Sequence, residues 1–393
     1  MILYALYACT AEAEKTDDTG VADTDTESDA DTDADTDADT EIPVDPLLDD
    51  AHSLVVSSMN AITVFAADGS ERMSWAVSDY VDAAACSGGE CRAEGVTPDG
   101  DGLIINWAYQ DRNGEGGLLR LDPAGGDWGM TWNMDGWSYP HEVIRDPGTS
   151  NLIVADAFLD TVAWVPDDAS GSANNPSAEI DGTDSNAVDG HVPNGLTLVE
   201  GGGRVGLLVS YRGDDASNPG GESGRLAMWD ISDPAALTLV WAYPDIGRLQ
   251  APHDPSLHWR DGRWLLLYAQ SHGDANQAGT VGVAELPDPW TVPTYIADLR
   301  PASGSWGYPR GAALAGDDTL FVCDTPALGG GSGGGGSGTV YQTRLPEGLA
   351  PTGKSGAYSE TGTNQVFVDL DDVVTFAEGF DQTYRSFIWD RVE

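Results

Sequence analysis

Short apolar runs recur along the chain at intervals of about 50 residues, each after a tight turn rich in Gly, Pro and Asp. Five of them are LIINWAY, LIVADAF, VGLLVSY, WLLLYAQ and TLFVCDT, which begin at residues 103, 152, 205, 264 and 319. A loop of variable length and a second strand follow each run, as in residues 116–122 and 224–230, where polar positions alternate with apolar ones. Uninterrupted apolar runs are typical of strands buried on both faces, and alternation is typical of strands with one exposed face.

These strand pairs predict an all-β fold, a six-bladed β-propeller over residues 46–393. Five units begin near Glu94, His141, His191, His253 and Arg310, and residues 53–79 form a sixth. The last segment, residues 363–393, has strands that could complete the first or the last blade. A β-sandwich fits less well because the repeats are too long and too regular. The glycine run at 328–338 is expected to be a loop within the sixth blade.

The N-terminal segment is predicted to be a membrane anchor and a tether. Residues 1–9, MILYALYAC, resemble the end of a bacterial lipoprotein signal, in which Cys9 would carry the lipid. Residues 10–45 are an acidic, Asp/Thr-rich linker that repels itself and buries no core, so we expect this tether to be disordered. The protein is therefore expected to be exported to the bacterial cell envelope, in the periplasm or on the surface. Its only contact with the membrane would be the lipid.

The charge of the chain excludes several kinds of partner. The net charge is −47, and residues 11–41 carry 14 acidic residues and one lysine, which leaves −34 for the rest. Such a surface repels nucleic acid and anionic lipid. Cys86 and Cys91 are expected to close a small disulfide ring, as suits an exported protein, and Cys323 is expected to be buried in a strand. We expect a monomer.

Three of the six histidines occupy one place in three consecutive repeats. His141, His191 and His253 each stand just before a strand pattern, where Glu94 and Arg310 stand in other repeats. In a propeller this place lies at the mouth of the central channel, so the five side chains are expected to converge. A ring of imidazoles with an arginine could hold a transition metal such as zinc. It could equally bind an oxyanion and attack it.

Three stretches of the chain resemble bacterial arylsulfotransferases of the six-bladed periplasmic kind. They are residues 140–156, 190–213 and 252–274, and the likeness in pattern covers residues 135–345. It implies transfer of a sulfuryl group from an aryl sulfate to a phenol through a sulfo-histidine, without a nucleotide cofactor. The chain accordingly offers no P-loop and no dinucleotide fingerprint.

The resemblance also implies a role for each matching residue. His253 would be the nucleophile and His141 the acid and base acting on the phenol oxygen. His191 and Arg212 would hold sulfate oxygens, and Asn194 would join them, although its spacing here is His-x-x-Asn instead of His-x-Asn. Arg310 and Glu94 are added as substrate-binding residues by their place in the repeat, not by the family pattern.

Two other functions fit the same residues. Amidating-lyase domains are also six-bladed propellers, with a zinc ion held by histidines at the channel. In this chain His141, His191 and His253 would fill that role. A non-catalytic propeller that binds a glycan or a protein is the second alternative. The tryptophans of residues 126–139 would suit sugar stacking, but we expect them in the core between blades.

Overall fold

The computed structural model describes residues 52–58, 61–65, 70–81, 91–99, 102–109, 116–124, 127–168, 176–181, 191–213, 224–243, 252–270, 279–301, 306–314, 318–325, 338–346, 367–370, 374–380 and 383–390. The predicted signal, Cys9, the tether at 10–45 and residues 328–337 of the glycine run lie outside these residues, so those predictions stay predictions.

The described residues form strands and one short 3₁₀ turn, Val77–Asp79. The strands are β1 (His52–Ser58), β2 (Ala61–Phe65), β3 (Glu71–Ala76), β4 (Cys91–Asp99), β5 (Gly102–Tyr109), β6 (Gly116–Ala124), β7 (Asp127–Trp137), β8 (Pro140–Arg145), β9 (Leu152–Asp156), β10 (Thr161–Val165), β11 (Ala178–Asp181), β12 (Val192–Gly201), β13 (Arg204–Arg212), β14 (Arg225–Asp230), β15 (Thr238–Tyr243), β16 (Pro252–Arg260), β17 (Arg263–Gln270), β18 (Thr280–Leu286), β19 (Thr294–Pro301), β20 (Tyr308–Leu314), β21 (Thr319–Thr325), β22 (Gly338–Arg344), β23 (Phe367–Leu370), β24 (Val374–Phe380) and β25 (Thr383–Asp390).

These strands confirm the six-bladed β-propeller. From the innermost strand outwards, the sheets are β25-β1-β2-β3, β4-β5-β6-β7, β8-β9-β10-β11, β12-β13-β14-β15, β16-β17-β18-β19-β23 and β20-β21-β22-β24, which we number blades 1 to 6. The innermost strands β25, β4, β8, β12, β16 and β20 contact one another in that order, and β20 contacts β25 again. They therefore form a closed ring around a central axis.

The two ends of the propeller chain close the ring together. Strand β25 pairs with β1 in antiparallel register, with Leu54 opposite Ile388, and so supplies the innermost strand of blade 1. Strand β24 pairs with β22 and completes blade 6. The prediction that the last segment completes a blade is thus confirmed for both candidate blades. Strand β23 adds a parallel fifth strand to blade 5, which the repeat pattern did not predict.

The apolar runs are buried on both faces because each blade packs between two others. In β5, Leu103 and Ile105 face the core between blades 1 and 2, whereas Ile104 faces the core between blades 2 and 3. All three are at most 1% exposed, and burying each such side chain contributes roughly 1.5–3 kcal/mol. Strand β7 contributes Trp137 and the partly buried Trp132 to the second core, as expected for these tryptophans.

An ion-pair network joins blades 2 and 3 where β4 and β8 end. Asp99 is buried and pairs with Arg120 and with Arg145, whose Nε lies 2.5 Å from Asp99 Oδ1. Arg120 Nε also lies 2.9 Å from Asp122, and Arg145 pairs with Asp167. Because a buried carboxylate needs partners, this network fixes the ends of the strands that lead away from the histidines.

Candidate functional site

A β-bulge near the start of each innermost strand from blade 2 to blade 6 positions the site. The register shifts at Glu94 in β4, His141 in β8, Asn194 in β12 and Arg310 in β20. In β16 it shifts after His253, across two residues. A bulge re-aims the side chain of its extra residue, so one end of the propeller gathers polar side chains from five blades.

Glycine follows three of the bulged residues where two strands come close. A Cβ atom on Gly95, after Glu94, would lie 2.6 Å from Asn106 Oδ1, and one on Gly195, after Asn194, would lie 2.9 Å from the main-chain nitrogen of Asp254. Such distances are too short for a side chain. The pairs Glu-Gly, Asn-Gly and Arg-Gly (310–311) are therefore the local signal of the bulge.

Both Pro-His dipeptides are held by an asparagine of the preceding blade. Asn106 Nδ2 donates to the carbonyl oxygens of Pro140, at 2.9 Å, and of His141, at 2.7 Å. Asn194 Nδ2 lies 3.3 Å from the carbonyl oxygen of Pro252 and 2.6 Å from Nδ1 of the His253 ring. The difference matters, because only in the second case is the imidazole itself held.

The structure brings His141 and His253 together with two arginines. Burial is the largest cause that lowers the pKa of His141 well below its ordinary value of 6.5, followed by the charges of Arg212, His253 and Arg310. Burial likewise lowers the pKa of His253 well below that value, with Arg310 and then Arg212 as further causes. Both imidazoles are therefore neutral at pH 7 while two guanidinium groups lie within electrostatic reach. All four residues are among the candidates named from the sequence.

The remaining predicted residues lie around this group. His191 is buried directly before β12 and three residues ahead of the bulge, so it does not occupy the same place as His141. Glu94 is buried and accepts a hydrogen bond of 2.8 Å from the Tyr139 hydroxyl. Glu142, next to His141, accepts one of 2.6 Å from the main-chain N–H of Leu196 and so links blades 3 and 4.

An aromatic wall beside His141 was not found from the sequence. The Tyr139 ring meets the His141 ring edge-on at 4.8 Å and lies 5.0 Å from the Phe158 ring. Phe158 and its neighbour Leu159 remain 39% and 45% exposed. The site therefore offers apolar and aromatic surface next to an imidazole, which suits an aromatic ligand.

The buried carboxylate of Asp156 fixes this wall. Its Oδ2 accepts hydrogen bonds from the main-chain N–H groups of Ser138 and Tyr139, at 2.8 and 3.0 Å. Its Oδ1 accepts from those of Phe158 and Leu159, at 3.0 and 3.1 Å. Asp324 near the end of β21, the second strand of blade 6, makes a similar contact and accepts from Gly307 N–H at 2.8 Å. An aspartate at the end of a blade's second strand is therefore a signal for this contact that the sequence carried.

The disulfide between Cys86 and Cys91 and the alternative of a bound metal ion stay predictions. Cys323 is buried in β21, as expected, and Cys91 is buried at the start of β4, while Cys86 lies outside the described residues. Within the described ranges, no three His, Cys, Asp or Glu side chains come together as ligands of one metal ion. The same ranges hold no helix long and apolar enough to cross a bilayer.

The lowered histidine pKa values predict a pH dependence of stability. Burial also lowers the pKa of His258, which follows His253 on β16, to about 4. In the unfolded chain such a histidine takes a proton at about pH 6.5, whereas in the folded protein it stays neutral to a lower pH. Its effect on the free energy of unfolding is therefore absent above about pH 6.5, and the free energy of unfolding falls as the pH drops below that value. The loss is about 1.4 kcal/mol per pH unit for each histidine.

Urea unfolding at pH 7.5 and pH 5 tests this with the variant His258→Gln. We expect the variant to lose up to about 2 kcal/mol less than the wild type over this interval. An equal loss in both proteins would show that burial does not lower the pKa of His258 in the folded state.

Comparison with known proteins supports the fold. No protein-family model matches the chain, and no curated protein matches it. Among solved structures it is similar to a hypothetical selenium-binding protein from Sulfolobus tokodaii, with 10% identity and a TM-score of 0.52, over 86% of this chain and 78% of that one.

Two further structures are similar at lower scores. A candidate 6-phosphogluconolactonase from Bacteroides fragilis has 9% identity and a TM-score of 0.47, over 86% of this chain and 98% of that one. A protein from Lactobacillus plantarum has 11% identity and a TM-score of 0.46, over 86% and 99%. At such identities a likeness concerns the fold and not the function. The order of the sheets and the closed ring of innermost strands define the protein as a six-bladed β-propeller, with two histidines and two arginines at one end of its channel.

Proposed function

We propose that this protein is an arylsulfotransferase-like enzyme. It moves the sulfuryl group of an aryl sulfate to a phenolic acceptor through a histidine intermediate at the channel mouth. Arg212 and Arg310 bind the sulfate oxygens, and the pair His141 and His253 carries out the transfer. The resemblance in sequence assigns the attack to His253 and the proton transfer to His141.

The observation that carries the proposal is the pair of buried, neutral imidazoles within electrostatic reach of two guanidinium groups. A neutral imidazole has a lone pair with which to attack, whereas a protonated one has none. Guanidinium groups bind the oxygens of an oxyanion by charge-assisted hydrogen bonds. Because the chain as a whole carries −47, an anionic substrate needs such a local cluster.

The aromatic wall favours an aryl substrate. Tyr139 stands against His141, and Phe158 extends the apolar surface towards solvent. An aryl ring stacked there would bring its ester oxygen near the imidazoles. An offset or edge-on arrangement of rings also gains energy beyond the area buried.

The place of the enzyme in the cell is a separate part of the proposal. Lipidation at Cys9 and the acidic linker 10–45 would hold the propeller away from the membrane of a bacterial cell envelope. A disulfide between Cys86 and Cys91 would suit that oxidising compartment.

The activity is tested by sulfuryl transfer from 4-nitrophenyl sulfate to phenol, measured through the nitrophenolate that is released. Replacing Arg212 or Arg310 with glutamine should lower the rate about 10²–10³-fold, because each guanidinium balances the charge of the transferred group. Arg204→Gln is the matched control: Arg204 begins β13, which Arg212 ends, but it pairs with Asp230 at 2.8 Å and lies over the Trp290 ring.

Two outcomes would contradict the proposal. One is equal activity of the Arg212, Arg310 and Arg204 variants. The other is an activity that a chelator removes and zinc restores, which would favour the histidine-ligated zinc enzyme. An aryl phosphate in place of the sulfate distinguishes sulfuryl from phosphoryl transfer at the same site.

A further inference from the structure

The amide of Asn194 determines which nitrogen of His253 carries the proton. Asn194 Nδ2 lies 2.6 Å from Nδ1 of the ring and 3.4 Å from Nε2. An amide nitrogen can only donate a hydrogen bond, so the nearer ring nitrogen must accept it. We infer that Asn194 is a positioning residue that holds His253 with Nδ1 unprotonated and the ring proton on Nε2.

The side-chain amide of Asn194 cannot rotate by half a turn without an energetic penalty. Its nitrogen also faces the carbonyl oxygen of Pro252 at 3.3 Å, and turning it would place Oδ1 against that oxygen, with two acceptors face to face. Asn106 shows the same orientation where no ring is involved, because both of its partners are carbonyl oxygens. Both asparagines are at least 97% buried, so water offers little competition for these hydrogen bonds.

The tautomer bears on the roles of the two histidines, and this step rests on the proposed function. With Nε2 protonated, the one ring lone pair of His253 is on Nδ1, where it accepts the hydrogen bond from Asn194 and is not free to attack. It is instead a hydrogen-bond donor suited to an oxygen of the sulfate, alongside the arginines. This opposes the role that the resemblance in sequence assigns to His253.

The attack then falls to His141. Its Nε2 has no hydrogen-bond partner among the described residues, and Asn106 holds its main chain while leaving the ring to the contact with Tyr139. In the transfer an N–S bond forms at His141 while the bond between sulfur and the aryl oxygen breaks. The electron pair leaves on the aryl oxygen as phenolate, which takes a proton from solvent.

Nitrogen-15 NMR of the full-length protein, labelled at histidine and held at neutral pH, reads the tautomer without any substrate. The two His253 signals are assigned by their absence from His253→Gln. We expect Nδ1 to show the shift of an unprotonated nitrogen and Nε2 that of a protonated one. The reverse pattern, or averaged shifts from a mixture of tautomers, would overturn the inference and leave the proposed function untouched.

Two variants show whether Asn194 is the cause. In Asn194→Asp the new carboxylate can only accept, so we expect the proton to move to Nδ1. Asn106→Ala is the matched control, since it removes the same bond to a proline carbonyl, and we expect the His253 signals to stay. The signals of His258 report whether each variant is folded. An unchanged tautomer in folded Asn194→Asp would show that another group holds the ring.

Discussion

Replacing His141 or His253 with glutamine should lower sulfuryl transfer about 10⁴-fold, and the double variant should be no worse than either single one. Glutamine keeps the approximate size of histidine, but its flexible amide replaces the attacking ring nitrogen of His141 and the fixed ring N–H of His253. Two groups that act in one step fail together when either is lost, so their effects do not add. The initial rate of nitrophenolate release, measured at saturating phenol, gives the comparison.

His258→Gln is the control for this pair because it lies on the same strand as His253. Its Nε2 is bonded to Ser256 Oγ at 2.9 Å, and no channel residue contributes to the shift of its pKa. We expect it to retain activity within about twofold of the wild type, since a change away from the reacting groups has little effect on the transition state. Activity retained by His141→Gln or His253→Gln would remove the pair from the mechanism.

Replacing Asp156 with alanine should lower the free energy of unfolding by about 3–5 kcal/mol. The side chain is fully buried and accepts hydrogen bonds from four main-chain N–H groups. All four donors lose their partner at once, and a buried donor without a partner costs about 1–3 kcal/mol. Urea unfolding followed by tryptophan fluorescence measures the loss.

Asp288 provides the comparison for this stability effect. It accepts from Trp290 N–H at 2.9 Å and from Thr291 Oγ1 at 2.8 Å in an exposed turn, where water can replace it. Asp288→Ala should therefore cost about 1 kcal/mol or less. Similar costs for both variants would mean that the loops around Tyr139 and Phe158 are held by something other than Asp156.

The fold could be predicted because its cause is repeated in the sequence. Each blade packs between neighbours, so its second strand must be apolar on both faces, as Leu103, Ile104 and Ile105 are. The turns between strands carry Gly, Asp and Pro at similar spacing. The pairing of β23 with blade 5 could not be predicted in this way, because it depends on where a long connection returns and not on a repeated pattern.

The site could be predicted only in part. His141, Glu94 and Arg310 each stand at a bulge. Charge interactions join His141 and His253 to Arg310, which its place in the repeat suggested, and to Arg212, which the family resemblance suggested. His191 stands three residues before the bulge at Asn194, whereas His141 is itself the bulged residue, and spacing along the chain does not show where in a strand the bulge falls.

Side-chain contacts between blades could not be predicted from the sequence. The tautomer of His253 depends on Asn194, which is 59 residues away along the chain, and Tyr139 reaches Glu94 across 45 residues. No local pattern encodes such a contact. The Gly that follows Glu94, Asn194 and Arg310 is the one local signal that could have revealed the bulges.

Mapping the sulfuryl group after brief exposure of the protein to 4-nitrophenyl sulfate, without acceptor, tests the central claim most directly. The chain is quenched, digested and analysed by mass spectrometry under conditions that preserve N–S bonds. We expect one sulfuryl group per chain, on His141, lost when phenol is added, and none on His258. Release of nitrophenolate with no sulfuryl group on His141 or His253 would contradict transfer through a histidine intermediate.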